Sequence, residues 1–332
     1  MSRIPKEDSL FESSQETRQI SDTEDITALR QAYNTYFMTY AQQDAFDFSR
    51  IYPATEDIPT LVRQVDDLKQ CLDSFRPLSP HQAQNLEAVF ETEFTFDSNR
   101  IEGNTLTLQE TALVLEKGIT VTGKSMREHL EVVNHHEALA FVKELIAGNI
   151  DFDQSALLEI HKLVLSGIDR HNAGHYRRER VFITGSRYVP PNPLKVPDLM
   201  QAYFDYYQVH QDQMHPALLA ADMSEKLVTI HPFIDGNGRT CRLVMNFLLM
   251  RAGFPITNIS GERQNRTAYY DALQAVQLEQ DVDAFKRFAL QQIKHAFFRY
   301  LDAVAINLNE DEQHKGGYFF QRVAPFLSTD TE

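Results

Sequence analysis

The sequence predicts an all-α protein, a helical bundle with one small β-hairpin, and three observations support it. Apolar residues recur at helical spacing from residue 61 onward, as in Leu61, Val65, Leu68 and Leu72. Two capping boxes, Thr107-x-x-Glu110 and Ser125-x-x-Glu128, mark helix starts, because each pairs a hydroxyl and a carboxylate with the free N–H groups of a first turn. Only Val181 to Val189 has the β-branched and aromatic character of strands, and it is broken by Gly185-Ser186 and stopped by Pro190-Pro191.

Residues 1–60 read as an N-terminal extension. The first 25 or so are rich in Ser, Glu, Asp and Gln, poor in large apolar residues, and expected to be mobile. Asp25 to Ala45 then suggests a helix with an aromatic side (Tyr33, Tyr36, Phe37, Tyr40). Residues 61–303 form the helical region. A helix is expected over 61–75, and a second from Pro80 through Phe90 and Phe94 toward Ile101, where Gly103-Asn104 is a natural stop. The first capping box opens a short helix ending at Gly118, and the second a long one to Ala147 that Gly148 closes. Residues 153–167 are amphipathic through Leu157, Leu158, Ile160, Leu163 and Val164. After the hairpin, helices are expected at 196–212, 215–230, 238–251, 265–278 and 281–303, followed by a C-terminal tail over 304–332. The apolar helix after Gly238 is the expected central element.

Composition excludes several function classes. Lys and Arg number 32 against 47 Asp and Glu, a net charge of −15, which argues against binding nucleic acid or an anionic membrane through charge. No apolar stretch approaches the roughly 18 residues of a membrane span. Met1 to Asp8 contains no apolar leader region, and Cys71 and Cys241 give neither a disulfide framework nor zinc spacing, so a cytoplasmic setting is expected.

The chemistry concentrates between two apolar helices. Gly236-Asn237-Gly238 is a Gly-x-Gly turn feeding a helix start, where exposed N–H groups and the positive end of the helix dipole make an anion site. Arg239 and Arg242 lie three apart in the first turn, an arrangement that is unfavourable at that end of a helix unless an anion lies there. Asp235 borders the turn as a carboxylate suited to Mg²⁺ beside a di- or triphosphate. His231, followed by Pro232 and Phe233, suits a general base for an attacking hydroxyl.

His231-Pro-Phe-Ile-Asp235-Gly236-Asn237-Gly238-Arg239-Thr-Cys-Arg242 resembles the full signature of the Fic (Fido) family, with no departure, and the likeness spans roughly residues 80–290. The resemblance implies transfer of AMP from ATP to a Ser, Thr or Tyr hydroxyl of a target protein. His231 would be the base, Asp235 the Mg²⁺ ligand, and Gly236, Asn237, Gly238, Arg239 and Arg242 the phosphate site. Phosphorylation, as in the Doc branch, is disfavoured because that branch replaces the second glycine, here the intact Gly238. Transfer of another phosphate-linked group and a nucleotide-binding regulatory role with little transferase activity are the alternatives.

Upstream, Ser98-Asn-Arg-Ile-Glu102-Gly resembles the family's inhibitory motif in the class that carries it N-terminal to the catalytic loop. That assigns an inhibitory helix to about 80–104 and a catalytic core to about 125–290. It implies an ion pair from Glu102 to Arg242 at the place a γ-phosphate needs, and a capacity to remove AMP from modified protein. The hairpin, with Gly185, Ser186, Arg187 and Tyr188 at its tip, resembles the flap that holds an extended target segment. Tyr269-Tyr270 resembles an aromatic pair bordering the nucleotide, and Gln277 stands where some relatives have an adenine-contacting asparagine. His135-His136 and His171-x-x-x-His175 lack a third ligand at metal spacing and read as structural or surface histidines. The run Tyr176-Arg177-Arg178-Glu179-Arg180 reads as solvated or as contacting target acids. Helix 125–147 and the N-terminal aromatic segment offer faces for a homodimer.

Overall fold

The cap residues start helices where expected in the computed structural model, which describes residues 23–40, 46–308, 312 and 314–327. Residues 1–22, most of the stretch expected to be mobile, and 41–45, at the end of the aromatic helix, lie outside the described residues. The chain orders as α1 (Thr23–Tyr40), α2 (Ile58–Asp73), α3 (Pro80–Ile101), α4 (Leu108–Lys117), α5 (Met126–Ala147), α6 (Gln154–Val164), α7 (Val196–His210), α8 (Pro216–Ile230), α9 (Asn237–Arg251), α10 (Arg263–Glu279), α11 (Ala284–Ile306) and α12 (Gly317–Val323). Thr107 and Ser125 each form the full reciprocal box with Glu110 and Glu128, and Gly118 ends α4 in the left-handed conformation. Asp153 caps α6 through Ala156 N–H.

α9 is central. Apart from Gly238, its residues from Asn237 through Leu249 are buried, the apolar ones from Leu243 onward in the core and the polar ones, among them Arg239 and Arg242, mostly in its first turns. α8, α5, α6 and α3 pack around it, and α11 lies across α8 and α2. Because α8 and α9 are adjacent, the short connection between them is held at both ends by the core.

The first and last of these helices, α1 and α12, pack on each other. Phe319 and Phe320 of α12, in the segment read from sequence as a tail, are buried against Tyr33 of α1, with ring centroids 5.4 and 5.7 Å away. Tyr33 in turn donates to Asp302 Oδ1 of α11 at 2.7 Å.

The expected hairpin does not form, and no strand occurs among the described residues. The turn is present, Ser186 N–H donating to Ile183 O at 3.1 Å, but its arms do not pair. A two-stranded ribbon with one face left uncovered gains little from pairing, and here Phe182 and Val189 are 77% and 61% exposed. The segment is an extended loop anchored at its base.

Candidate active site

The connection from α8 to α9 is held in shape by its own polar side chains. His231 follows α8 in the left-handed conformation (φ 51°), a strained backbone for a non-glycine residue, and its N–H still donates to Leu227 O. Asn237 turns its side chain back on the loop. Its Oδ1 accepts from Phe233 N–H and its Nδ2 donates to Phe233 O, both at 3.0 Å. This asparagine therefore fixes the turn and leaves the N–H groups of the helix start to bind an anion.

Two further residues complete this scaffold, His161, which the sequence did not mark, and Arg177, which the sequence placed in a solvated basic run and the structure buries on backbone carbonyls. His161 of α6 is fully buried and stacks on Phe233, with centroids 3.6 Å apart. Its Nδ1 accepts from Gly174 N–H, so its Nε2 carries the proton and donates to Asp235 O at 3.0 Å. Burial pushes its pKa down to about 4, against the pull of the Asp235 carbonyl, so it stays neutral. Its only sequence signal was a polar residue on the apolar face of α6. Arg177, 3% exposed, donates through Nε to His231 O at 2.7 Å, through Nη1 to Glu179 O and through Nη2 to Pro191 O, while its own N–H donates to Pro232 O. It clips the extended loop to the catalytic loop, a role that nothing in the run Arg177-Arg178-x-Arg180 distinguished.

The imidazole of His231 is oriented by Val228 O, 3.2 Å from Nδ1. A carbonyl only accepts, so Nδ1 carries the hydrogen and Nε2 keeps its lone pair. Burial lowers its pKa below the ordinary histidine value. The Arg177 guanidinium pulls the same way, and the Val228 carbonyl, Glu102 and Asp235 oppose both. The result is a neutral imidazole at pH 7.

At the helix start, Glu102 and Arg242 meet. Arg242, 1% exposed, donates through Nη2 to Glu102 Oε1 at 2.8 Å and to Ser98 O at 2.7 Å, and through Nε to Ser98 Oγ at 3.0 Å. Burial works against its charge, and Glu102 together with Tyr269 and Cys241 outweighs it, so its pKa stays above the usual arginine value. The Glu102 carboxylate also lies directly over Gly238, and a methyl group on that residue would run into it. Close approach of an anion to this backbone is what the glycine permits. Two guanidinium nitrogens here, Nε of Arg239 and Nη1 of Arg242, are buried without a hydrogen-bond acceptor, while Nη1 of Arg239 makes no hydrogen bond but lies 3.4 Å from Glu131 Oε1.

Asp235 carries its own counter-charges. Oδ2 accepts from Arg127 Nη2 of α5 at 2.6 Å, and Oδ1 accepts from Gly236 N–H at 2.6 Å and faces Arg239 Nη2 at 3.4 Å. Burial raises the carboxyl pKa, but Arg239, the Gly236 N–H and Arg127 together bring it below the usual aspartate value. Glu131 links Arg127 and Arg239 from the other side, at 3.1 and 3.4 Å. Among the described residues, no group of three or more His, Cys, Asp or Glu side chains could hold a metal by itself.

The remaining candidates divide. Tyr188 reaches the site, its hydroxyl donating to Thr229 O at 3.0 Å, while Gly185, Ser186 and Arg187 are exposed on the loop above. Tyr270 borders the site, its hydroxyl donating to Ile101 O, and is 46% exposed. Tyr269 is a core residue instead, buried behind Arg242 with its ring centroid 5.9 Å from that guanidinium. Gln277 is near but engaged, donating to Thr229 Oγ1 at 2.9 Å. His135 is buried against Thr95, and His171 and His175 are exposed.

Comparison with known proteins agrees with this geometry. Residues 151–249 match the Fic/DOC family model. The chain is 33% identical over 288 residues to Protein adenylyltransferase Fic of Drosophila virilis, covering 82% of this chain and 58% of that relative. It therefore spans little more than half the length of such relatives. Fic-1 of C. elegans superimposes with a TM-score of 0.66 at 31% identity, over 73% of this chain and 71% of the solved one. A Fic domain containing signaling protein from Bacteroides thetaiotaomicron gives 0.61 at 27% identity, over 80% of this chain and all of the other. With the signature intact from His231 to Arg242 and the helical frame shared, the chain belongs to the Fic/DOC family.

Proposed function

We propose that this protein transfers AMP from ATP to a hydroxyl of a target protein, and that Glu102 holds it off in the resting state. The observation that carries the reading is the anion site at the start of α9. Buried arginine donors stand there without acceptors, and a carboxylate of the same chain covers the glycine backbone. Buried polar groups are almost always hydrogen-bonded, so the open donors of Arg239 and Arg242 argue for an anionic ligand, and a triphosphate chain supplies one.

In the reaction, Nε2 of His231 takes the proton as the target hydroxyl oxygen attacks the α-phosphorus. One P–O bond forms, the bond to the β-phosphate breaks, and pyrophosphate leaves. The N–H groups of the helix start and the two arginines stabilise charge on the phosphates. A divalent cation fits Asp235, since one carboxylate plus phosphate oxygens is a donor set that Mg²⁺ favours. When bound, Mg²⁺ would neutralise charge on the leaving pyrophosphate. Arg127 would have to release Oδ2 to admit it.

Inhibition follows from competition for one place. While Glu102 pairs with Arg242, the terminal phosphate of ATP loses its arginine and meets a carboxylate, and ATP binds with its α-phosphorus out of line. Removal of AMP by the same glutamate is part of the proposal. Two free, buried cysteines support a reducing, cytoplasmic setting.

The test is labelling of cell lysate with α-³²P-ATP or γ-³²P-ATP by the wild type and Glu102→Gly. The reading expects label from the α position only, rising in the variant. Label from the γ position indicates phosphorylation. Absence of label in the variant indicates a nucleotide-binding regulatory protein.

A further inference from the structure

The loop beside the catalytic site has a charge opposite to that of the molecule. Residues 166–195 contain six Lys and Arg and two Asp and Glu, a local balance of +4 in a chain whose net charge is −15. Arg177 is consumed in clipping the loop to His231 O and Pro191 O. Arg170, Arg178, Arg180 and Arg187 are all exposed, and none has an acidic partner within ion-pair distance among the described residues. Of the two acids, Asp169 is occupied by Asn172 and by the N–H of His171, which leaves Glu179 as the one free carboxylate. Elsewhere exposed cations commonly find partners, as Lys143 does on Glu87 and Glu91 and Arg299 on Glu93.

Three further features place these charges on a surface built to be covered. Phe182, Val189 and Leu194 are 77%, 61% and 86% exposed along the same segment, more than a solvated loop needs. The N–H groups of Val181, Phe182 and Ile183 donate to nothing within the described residues, so an extended edge is open to a partner backbone. The loop is also held next to the chemistry, since Arg177 N–H donates to Pro232 O and Tyr188 hydroxyl to Thr229 O, on either side of His231.

We propose that the loop over residues 170–194 selects an acidic, extended segment of the target protein, whose carboxylates engage Arg170, Arg178, Arg180 and Arg187 beside His231. This rests on the proposed transfer reaction and names its substrate class. The rest of the chain has a net charge of −15 − 4 = −19 and on balance repels such a segment, and attraction between opposite charges at the loop steers association and weakens with salt. Guanidinium groups suit carboxylates because their paired N–H donors match both oxygens. The flanking apolar side chains then favour a segment that intersperses acids with apolar residues around its hydroxyl.

The test uses the full chain and fluorescence anisotropy with extended peptides, each containing one Thr flanked by Glu and Leu, by Ser and Leu, or by Lys and Leu, together with a single-stranded oligonucleotide. The Glu peptide is expected to bind at least about tenfold more tightly than the Ser peptide at low salt, with the advantage shrinking as salt rises. In the combined variant Arg178→Glu, Arg180→Glu, Arg187→Glu the advantage disappears. These three side chains are exposed and make no ion pair among the described residues, so the melting temperature should stay within a degree or so of wild type. Equal binding of the Glu and Ser peptides overturns the proposal, as does an advantage that survives charge reversal or tighter binding of the oligonucleotide. Transfer of AMP to the same peptides by Glu102→Gly separates the two proposals. Selective binding without transfer to any peptide refutes the reaction and leaves the docking surface. Equal transfer to all peptides refutes the docking surface and leaves the reaction.

Discussion

If Glu102 occupies the phosphate site, removing its carboxylate should weaken the empty protein and strengthen the nucleotide complex. Glu102→Ala is the cleaner perturbation for stability, because glycine there would add backbone entropy to the unfolded chain. A charge-assisted hydrogen bond to a buried arginine is worth about 1.5–3 kcal/mol. Glu102 is 34% exposed, so water replaces part of what is lost, and about 1–2 kcal/mol is the expected cost. Arg242 keeps its two bonds to Ser98, which limits the damage. For a chain of this size that is a fall in Tm of about 2–5 °C without ligand. The same energy no longer opposes ATP, so nucleotide affinity should rise about 5- to 30-fold. Saturating MgATP should then raise the variant's Tm by several degrees more than it raises that of the wild type. Differential scanning fluorimetry with and without MgATP reads both effects. A variant whose apo Tm and nucleotide-induced shift both equal those of wild type would refute the competition.

Other perturbations follow from the same geometry. Transfer by the Glu102→Gly protein should fall as pH drops, with a midpoint below 6.5, because His231 must be neutral and its pKa is lowered by burial and Arg177; His231→Ala should abolish transfer while leaving the far-ultraviolet circular dichroism unchanged. A midpoint above 7 would contradict the assignment of the base. Arg127→Ala should reduce the Mg²⁺ needed for half-maximal transfer by about two- to fivefold, since a half-exposed ion pair of this kind contributes up to about 1 kcal/mol against the metal. Manganese binding to the nucleotide complex, followed by electron paramagnetic resonance, should tighten in parallel, and an unchanged or weaker affinity would count against Arg127 as a competitor. Asp302 is buried beneath α1 and its carboxyl is pushed up to about 7, with the Tyr33 and Phe46 hydrogen bonds only partly opposing burial. A carboxyl raised in the folded state stabilises below its unfolded pKa, near 4, and loses that contribution as pH rises toward 7. Asp302→Asn should therefore gain on wild type by on the order of 4 kcal/mol between pH 4 and 8, about three pKa units at 1.36 kcal/mol each; a difference independent of pH would show that folding does not raise the Asp302 carboxyl.

Much of the bundle was legible because its signals are local. Thr107, Ser125 and Asp153 announce helix starts through bonds made within one turn, and the apolar run after Gly238 announces a buried helix. The loop from His231 to Arg242 was legible as a candidate site for a different reason, since its residues lie within twelve positions. What escaped depends on contacts between distant segments. The hairpin had strand-forming residues but one face left uncovered, and packing rather than propensity decides such a case. His161 became part of the loop only through its stack on Phe233, Arg127 only through the approach of α5 to Asp235, and Arg177 only through carbonyls at residues 179, 191 and 231. The segment over 304–332 read as a tail because Phe319 and Phe320 find their partners in α1, almost three hundred residues away.

The most direct test is intact-protein and peptide mass spectrometry of a lysate protein fraction incubated with ATP and the Glu102→Gly variant, with Glu102→Gly, His231→Ala as the control. The account predicts the mass of one AMP on Ser, Thr or Tyr side chains, abundant with the first protein, scarce with wild type and absent with the control. Phosphate in place of AMP, or AMP transferred as fast by wild type as by Glu102→Gly, would contradict it.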